Sequence, residues 1–264
     1  MSRRVQVLLD HIGQPEQVFL LLDYDGTVVP IAPTPDLAHP TPDVLELLRR
    51  LGSIDTVRLA IISGRSLDDL ERLLPLETIF LVGNHGAEIR TPAGDRLHLV
   101  DPQTIQTIMS QLAAELKLAV AGLAGCIVEN KGISLALHYR LASASAAQQA
   151  IAHFTRLSEP LVTRGEFEWL QGKKIVEVRP VGVNKGQAVR FLLDRYSSPG
   201  QLPIYMGDDL TDEDAFRALD DVGISILISA VDRPSAAKYR LESPADAGDF
   251  LTALIRRSDS KLSP

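Results

Sequence analysis

The stretch Val18-Phe19-Leu20-Leu21-Leu22-Asp23-Tyr24-Asp25-Gly26-Thr27 decides the fold. Five apolar residues in a row with polar flanks suit a strand buried on both faces of a parallel sheet. The run ends on two acids, so Asp23 and Asp25 fall at the carboxyl edge of that sheet, where ligands of open α/β sheets bind. Two carboxylates two positions apart repel each other. A divalent cation relieves this, and all-oxygen donors favour Mg²⁺. Gly26 lets the backbone turn sharply, which exposes amides able to bind phosphate oxygens. An ordinary strand end followed by a turn accounts for the same residues, so the motif by itself leaves both readings open.

Outward from this run the pattern repeats. Pro30, Pro33, Pro35, Pro40 and Pro42 punctuate a loop, and Thr41 is placed to cap a helix with Pro42 at its first position. Residues 57–62 read as a second buried strand, Ser66 starts another helix, and residues 78–82 read as a third strand. This alternation predicts a Rossmann-like, doubly wound α/β sheet. After His85 the pattern changes. Residues 87–90 and 96–99 flank Pro92-Ala93-Gly94 as a hairpin. A helix over 102–118, strands over 126–130 and 133–139, a helix over 143–157 and a strand pair over 166–170 and 175–179 follow. The first pattern then returns with a helix over 184–195, a strand over 203–206, a helix from Thr211, a strand over 223–228 and a helix over 245–256. The tail from Ser258 is expected to fray. The expected architecture is therefore a core of residues 1–103 and 179–264, interrupted by a smaller α/β cap over 104–178.

Bulk properties narrow the function. At 264 residues and 45% hydrophobic content, the chain has material for one large domain plus an insert. A net charge of −7 argues against nucleic-acid binding through a broad basic face, and any anion site must carry its own local positive charge. The single cysteine, Cys126, sits in an apolar strand pattern and is expected to be a packed thiol. Met1-Ser2-Arg3-Arg4-Val5-Gln6 lacks a following apolar region, and no apolar run approaches a membrane span, so a cytoplasmic protein is expected.

Three further groups follow strand ends or open helices. In Gly207-Asp208-Asp209-Leu210-Thr211-Asp212-Glu213-Asp214, Asp212 and Glu213 fit an acidic helix start favoured by the helix dipole. Asp208 precedes the cap and fits a metal ligand better. Ile62-Ser63-Gly64-Arg65-Ser66 offers a hydroxyl and amides suited to a phosphate oxygen, or a simple helix cap at Ser66. In Val183-Asn184-Lys185-Gly186, Lys185 opens a helix, where a cation opposes the dipole unless an anion or carboxylate answers it.

Taken in order, strand-Asp-x-Asp-Gly-Thr, strand-Ser-Gly, Lys-Gly and strand-Gly-Asp-Asp resemble the haloacid dehalogenase superfamily of phosphohydrolases across essentially the whole chain. The finer motifs resemble the trehalose-6-phosphate phosphatases: Val28-Val29-Pro30-Ile31 after the first motif, Ser63-Gly64-Arg65, Asn84-His85-Gly86, Glu129-Asn130-Lys131, His138-Tyr139-Arg140, Glu177-Val178-Arg179-Pro180 and Asn184-Lys185-Gly186. The resemblance implies a C2-type cap closing over the leaving group and an aspartyl-phosphate mechanism. Asp23 would be the nucleophile and Asp25 the general acid and base, with Lys185 and Ser63 steadying the phosphoryl group. Mg²⁺ would be held by Asp23, the Asp25 backbone carbonyl and Asp208, with support from Asp212. Substrate contacts would come from Gly64, Arg65, Asn84 and His85 in the core and from Glu129, Lys131, His138, Arg140 and Glu177 in the cap. Glu129 and Lys131, two apart on a strand, share one face. They offer acceptors and donors to a sugar, or equally form a salt-bridged exposed strand.

The implied substrate is trehalose 6-phosphate, a small-molecule sugar phosphate. The expected partners exclude nucleic acid and membrane, a monomer is the working expectation, and a functional link to a trehalose-6-phosphate synthase is implied. Phosphatases acting on sucrose 6-phosphate, on glucosyl- or mannosyl-3-phosphoglycerate or on glucosylglycerol phosphate are the rivals within the superfamily. A glycerate carboxylate could use Lys131 or Arg140. A single-domain phosphoacceptor module has no room for the insert, and the intact Asp23, Asp25, Lys185 and Asp208 argue against a non-catalytic regulatory partner.

Overall fold

The computed structural model describes residues 2–262. The chain divides into two compact units, Met1–Leu97 with Asn184–Pro264, and His98–Val183. The second is wider at both ends than the 104–178 read from the sequence.

The first unit opens with α1 (Arg3–Ile12), which the sequence reading missed. Ser2 caps it by accepting the Val5 amide, and Val5, Leu8 and Leu9 bury one stripe. Then come β1 (Val18–Leu22), α2 (Pro42–Gly52), β2 (Val57–Ile62), α3 (Leu67–Leu73), β3 (Phe80–Gly83), β4 (Glu88–Arg90) and β5 (Arg96–His98). All five residues of β1 are buried, as a strand covered on both faces requires. Thr41 caps α2 and Pro42 stands in its first turn.

The second unit contains α4 (Pro102–Val120), β6 (Ile127–Asn130), β7 (Leu135–His138), α5 (Ala144–Thr163), β8 (Phe167–Gly172) and β9 (Ile175–Pro180). The chain returns to the first unit with α6 (Lys185–Tyr196), β10 (Leu202–Gly207), α7 (Glu213–Ala218), β11 (Ile224–Ile228), β12 (Tyr239–Leu241) and α8 (Pro244–Leu262). The last helix thus continues through residues expected to fray, and Ser263 and Pro264 lie outside the described residues.

In the first unit eight strands run in the order β12-β11-β10-β1-β2-β3-β4-β5. Pairing is parallel from β12 to β3, and β4 turns antiparallel to β3. The sequence puts β1 first, yet it lies between β2 and β10, so the strand order reverses at β1. That reversal makes the carboxyl end of β1 a topological switch point, the place where such sheets bind ligands. Leu20, Leu22, Ile61 and Met206 pack with apolar residues of α1, α2, α3 and α8 in one core layer. Tyr205 packs edge-on against Phe216 of α7 at 5.7 Å, and Phe80 lies 4.8 Å from Tyr196 of α6.

The second unit has a four-stranded antiparallel sheet in the order β6-β7-β9-β8. Leu135, Leu137, Val176 and Val178 pack in one core with Met109, Leu112 and Leu116 of α4 and Phe154 of α5. Cys126 packs against the same core, as expected of a structural thiol. Among the described residues, no helix is long and apolar enough to cross a membrane.

Candidate active site

Asp23 follows β1 and is buried. Its backbone amide still bonds the Met206 carbonyl of β10, so the sheet holds it at the switch point. Lys185, first residue of α6 and 3% exposed, donates to Asp23 Oδ1 at 2.6 Å and to Asp212 Oδ1 at 2.7 Å. Two carboxylates thus answer the cation that the sequence placed against a helix dipole. Burial alone would lower the Lys185 ammonium, but Asp212 and Asp23 outweigh it and hold the group charged, well above its usual range. Burial pushes the Asp23 carboxyl well up, Lys185 opposes this, and Asp212 and Asp208 add to the rise.

Asp212 does more than favour a helix start. It is fully buried, accepts the Tyr205 hydroxyl at 2.6 Å on Oδ1, and takes the amides of Asp208 and Asp209 at 3.0 and 2.9 Å on Oδ2. Gly207 is needed beside it, because a Cβ there would lie 2.3 Å from Asp212 Cγ. Gly26 has φ 91°, and a Cβ on it would lie 2.3 Å from Asp208 Cγ. The turn after Asp25 can therefore approach the Asp208 carboxylate only with glycine at this position.

Asp25 faces a different partner. The Arg65 guanidinium grips it bidentately, Nε to Oδ2 at 2.7 Å and Nη2 to Oδ1 at 2.8 Å. Arg65 also donates from Nη1 to Asp69 at 2.8 Å and lies over the Tyr24 ring at 5.2 Å. Burial opposes its charge, but Asp25 and Asp69 prevail and raise the guanidinium further. Arg65, expected on the substrate, is bonded here to the Asp25 carboxylate. Ser63 is buried after β2, and its Oγ accepts the Arg65 amide at 3.2 Å.

Asn84 and His85 form a single turn after β3, both at positive φ (50° and 56°). Such backbone is uncommon away from glycine and recurs at ligand sites. The His85 amide bonds the Ser63 carbonyl at 2.9 Å and the Asn84 amide bonds the Arg65 carbonyl at 2.7 Å, which locks this turn to the Ser63-Gly64-Arg65 loop. A Cβ on Gly64 would lie 2.5 Å from the His85 ring. The Asn84 side chain donates to Glu88 at 2.5 Å.

In the second unit, Glu129, Ala136 and Glu177 stand in register across β6, β7 and β9. Lys131 pairs with Glu177 at 2.9 Å, both side chains nearly buried, and His138 bonds Glu129 at 2.6 Å. Burial would raise Glu129, but the His138 bond and Lys131 hold its carboxyl below the usual range. Lys131 therefore reaches across the sheet to Glu177 and also acts on the charge of Glu129, its neighbour two positions away. Arg140 is more peripheral: it is exposed and donates to the Lys173 carbonyl at 3.1 Å.

Two contributors escaped the sequence reading. Tyr205 lies inside a strand and looked like core. Arg233 lies in the loop after β11, where its guanidinium bonds the carbonyls of Asp208 and Asp209 and pairs with Glu213. An Arg-Pro pair just beyond a strand's carboxyl end was the one available signal.

The residues fit a hard divalent cation. Carboxylate oxygens of Asp23, Asp208 and Asp212 lie within 4.8 Å of one another. Among the described residues, no hydrogen-bond donor reaches the buried Asp23 Oδ2. Three carboxylates and the Lys185 ammonium leave two negative charges, which a dication balances. The Asp25 carboxylate is not in this cluster; the metal role expected for Asp25 runs through its backbone carbonyl.

The family model described as trehalose-phosphatase matches residues 21–245. The trehalose-phosphate phosphatase of Mycobacterium tuberculosis strain H37Rv is 32% identical over 248 residues, 91% of this chain and 62% of that protein. The chain thus spans about three fifths of that relative's length. Among solved structures, the C-terminal domain of Candida albicans trehalose-6-phosphate phosphatase matches with a TM-score of 0.84 at 24% identity, covering 97% of each chain. A haloacid dehalogenase-like hydrolase from Bacteroides thetaiotaomicron matches with a TM-score of 0.63 at 16% identity, covering 91% of this chain and 99% of that one. Both structural matches show the fold.

Proposed function

The chain belongs to the trehalose-phosphatase family, and we propose that it hydrolyses trehalose 6-phosphate to trehalose and phosphate through a phosphorylated Asp23. The observation that carries this reading is the Asp23 carboxylate itself. Lys185 holds one oxygen, and the other, Oδ2, is buried at a sheet switch point with no hydrogen-bond partner among the described residues.

In the first step Asp23 Oδ2 bonds phosphorus as the bond from phosphorus to the sugar oxygen breaks. Asp25 gives its proton to that departing oxygen. Asp25 then takes a proton from water as the water oxygen attacks phosphorus, which frees phosphate and restores Asp23. Arg65 bonds both Asp25 oxygens and favours the ionised form, so one of these bonds opens when Asp25 carries the proton. Lys185 and Ser63 are read as the groups that meet phosphoryl charge. Asp23 and Asp208, with the Asp25 carbonyl and support from Asp212, would hold Mg²⁺. That ion supplies positive charge that favours the ionised carboxylates and offsets the charge of the phosphoryl oxygens. Glu129, Lys131 and Glu177 of the second unit are read as the groups that recognise glucose hydroxyls. Their interleaved acceptors and donors support this, with His138 bracing Glu129.

Phosphate release from trehalose 6-phosphate with Mg²⁺ tests the mechanism. Asp23→Asn is expected to lose turnover while keeping the wild-type circular dichroism spectrum. Turnover retained in that variant would sink the mechanism.

A further inference from the structure

The loop that carries Asp208 has its backbone held by two side chains. Asp212 Oδ2 accepts the amides of Asp208 and Asp209. The Arg233 guanidinium donates from Nη2 to the carbonyls of the same two residues, at 3.2 and 3.3 Å. Every backbone polar group of Asp208-Asp209 is therefore engaged, and the Asp208 carboxylate has a fixed base from which to project toward Gly26. Arg233 is itself anchored. Its Nη1 pairs with Glu213 Oε1 at 2.9 Å and bonds the Pro234 carbonyl at 3.3 Å. Glu213, 7% exposed, uses Oε2 to accept the Ala236 amide at 2.7 Å, so one carboxylate fastens both the guanidinium and the loop that bears it.

We infer that Arg233, held by Glu213, is a positioning residue for the metal ligand Asp208. The inference rests on the reading above that Asp208 helps to hold Mg²⁺. A planar fork can span two successive carbonyls and a carboxylate at once, whereas an ammonium group is a single point of charge. Arg233 also brings a cation to an acid-rich loop without entering the carboxylate cluster. Side chains that orient a metal ligand without touching the ion typically change affinity by about 10–100-fold when removed.

The test titrates Mg²⁺ against the full chain and reads the thermal unfolding midpoint, which rises as ion binds the folded state. Turnover of trehalose 6-phosphate is read in parallel. Arg233→Ala is expected to need at least about 10-fold more Mg²⁺ for half of the thermal shift. Its turnover should fall at limiting Mg²⁺ and recover at saturating Mg²⁺, with KM for the sugar phosphate unchanged. Arg233→Lys and Glu213→Gln should fall between this variant and wild type. Asp232→Ala, on the exposed neighbour, should titrate like wild type.

A wild-type Mg²⁺ midpoint in Arg233→Ala overturns the inference, and so does equal weakening in Asp232→Ala. Should Arg233→Ala fail to fold without metal, the Lys and Gln variants carry the test. Unfolding of all three variants overturns the inference in favour of a purely structural clamp. The proposed activity fails separately, if wild type binds Mg²⁺ but hydrolyses no sugar phosphate. In that case a weakened midpoint in Arg233→Ala still upholds the inference.

Discussion

At Lys185 two effects oppose each other: burial resists the charge, and two carboxylates within 2.7 Å demand it. Breaking a buried pair by removing one partner leaves uncompensated charge, at a cost of about 3–5 kcal/mol. Lys185→Met is expected to lose about that much unfolding free energy in a urea titration without metal, and to lose turnover. Glu129 gives a pH prediction of definite sign. Its carboxyl is held below the usual range in the folded chain. Its contribution to stability is therefore complete above the unfolded value of about 4.5, and is lost as pH falls through the depressed folded value. Glu129→Gln should lower the melting temperature at pH 7, and the gap to wild type should close as pH falls through that depressed value. A gap that widens toward acid would contradict the assignment. Asp23 and Lys185 drew notice through local signals, a strand end and a helix start. Arg65 shows the limit: its bond to Asp25 spans 40 positions, and nothing in Ser63-Gly64-Arg65 announces it.

The strand ends and the loops after them set the site's precision. Gly26 and Gly207 each take up space that a methyl group would contest with a carboxylate, Asp208 in one case and Asp212 in the other. Gly26→Ala and Gly207→Ala should each leave the far-ultraviolet circular dichroism spectrum in place yet cut kcat by about 10²-fold, the scale that a 1 Å misplacement costs. An alanine variant at either position with wild-type kcat would show that the close approach is not needed. Elements with a strong period were readable. Largely apolar runs became β1, β2 and β3, although β2 carries Arg58, and Thr41-Pro42 and Asn184-Lys185 became helix starts. Two elements were not. The helix α1 buries Val5, Leu8 and Leu9 but exposes Val7, which blurs its period. The strand β12 has three residues with an arginine in the middle, too short for alternation to register. The acidic loop was half readable. Asp212 and Glu213 looked like helix-dipole residues, because their partners Tyr205, Lys185 and Arg233 come from separate elements.

At the scale of the whole molecule, a Rossmann-like core interrupted by a second α/β unit was legible because the hydrophobic pattern changes after His85 and resumes near Asn184. The chemistry is proposed for the first unit, and the choice of sugar for the second. Its face carrying Glu129, Lys131 and Glu177 is polar and internally paired, while the opposite face is apolar core. Chelation of divalent ions should abolish turnover reversibly, with Mg²⁺ restoring it, and leave both units folded. The measurement that tests the central claim most directly is kcat/KM of the intact chain with Mg²⁺ over a panel of sugar phosphates. Trehalose 6-phosphate should exceed every other member by at least about 10-fold, a difference of roughly 1.4 kcal/mol in transition-state stabilisation. Faster turnover of sucrose 6-phosphate or glucosyl-3-phosphoglycerate would contradict the account.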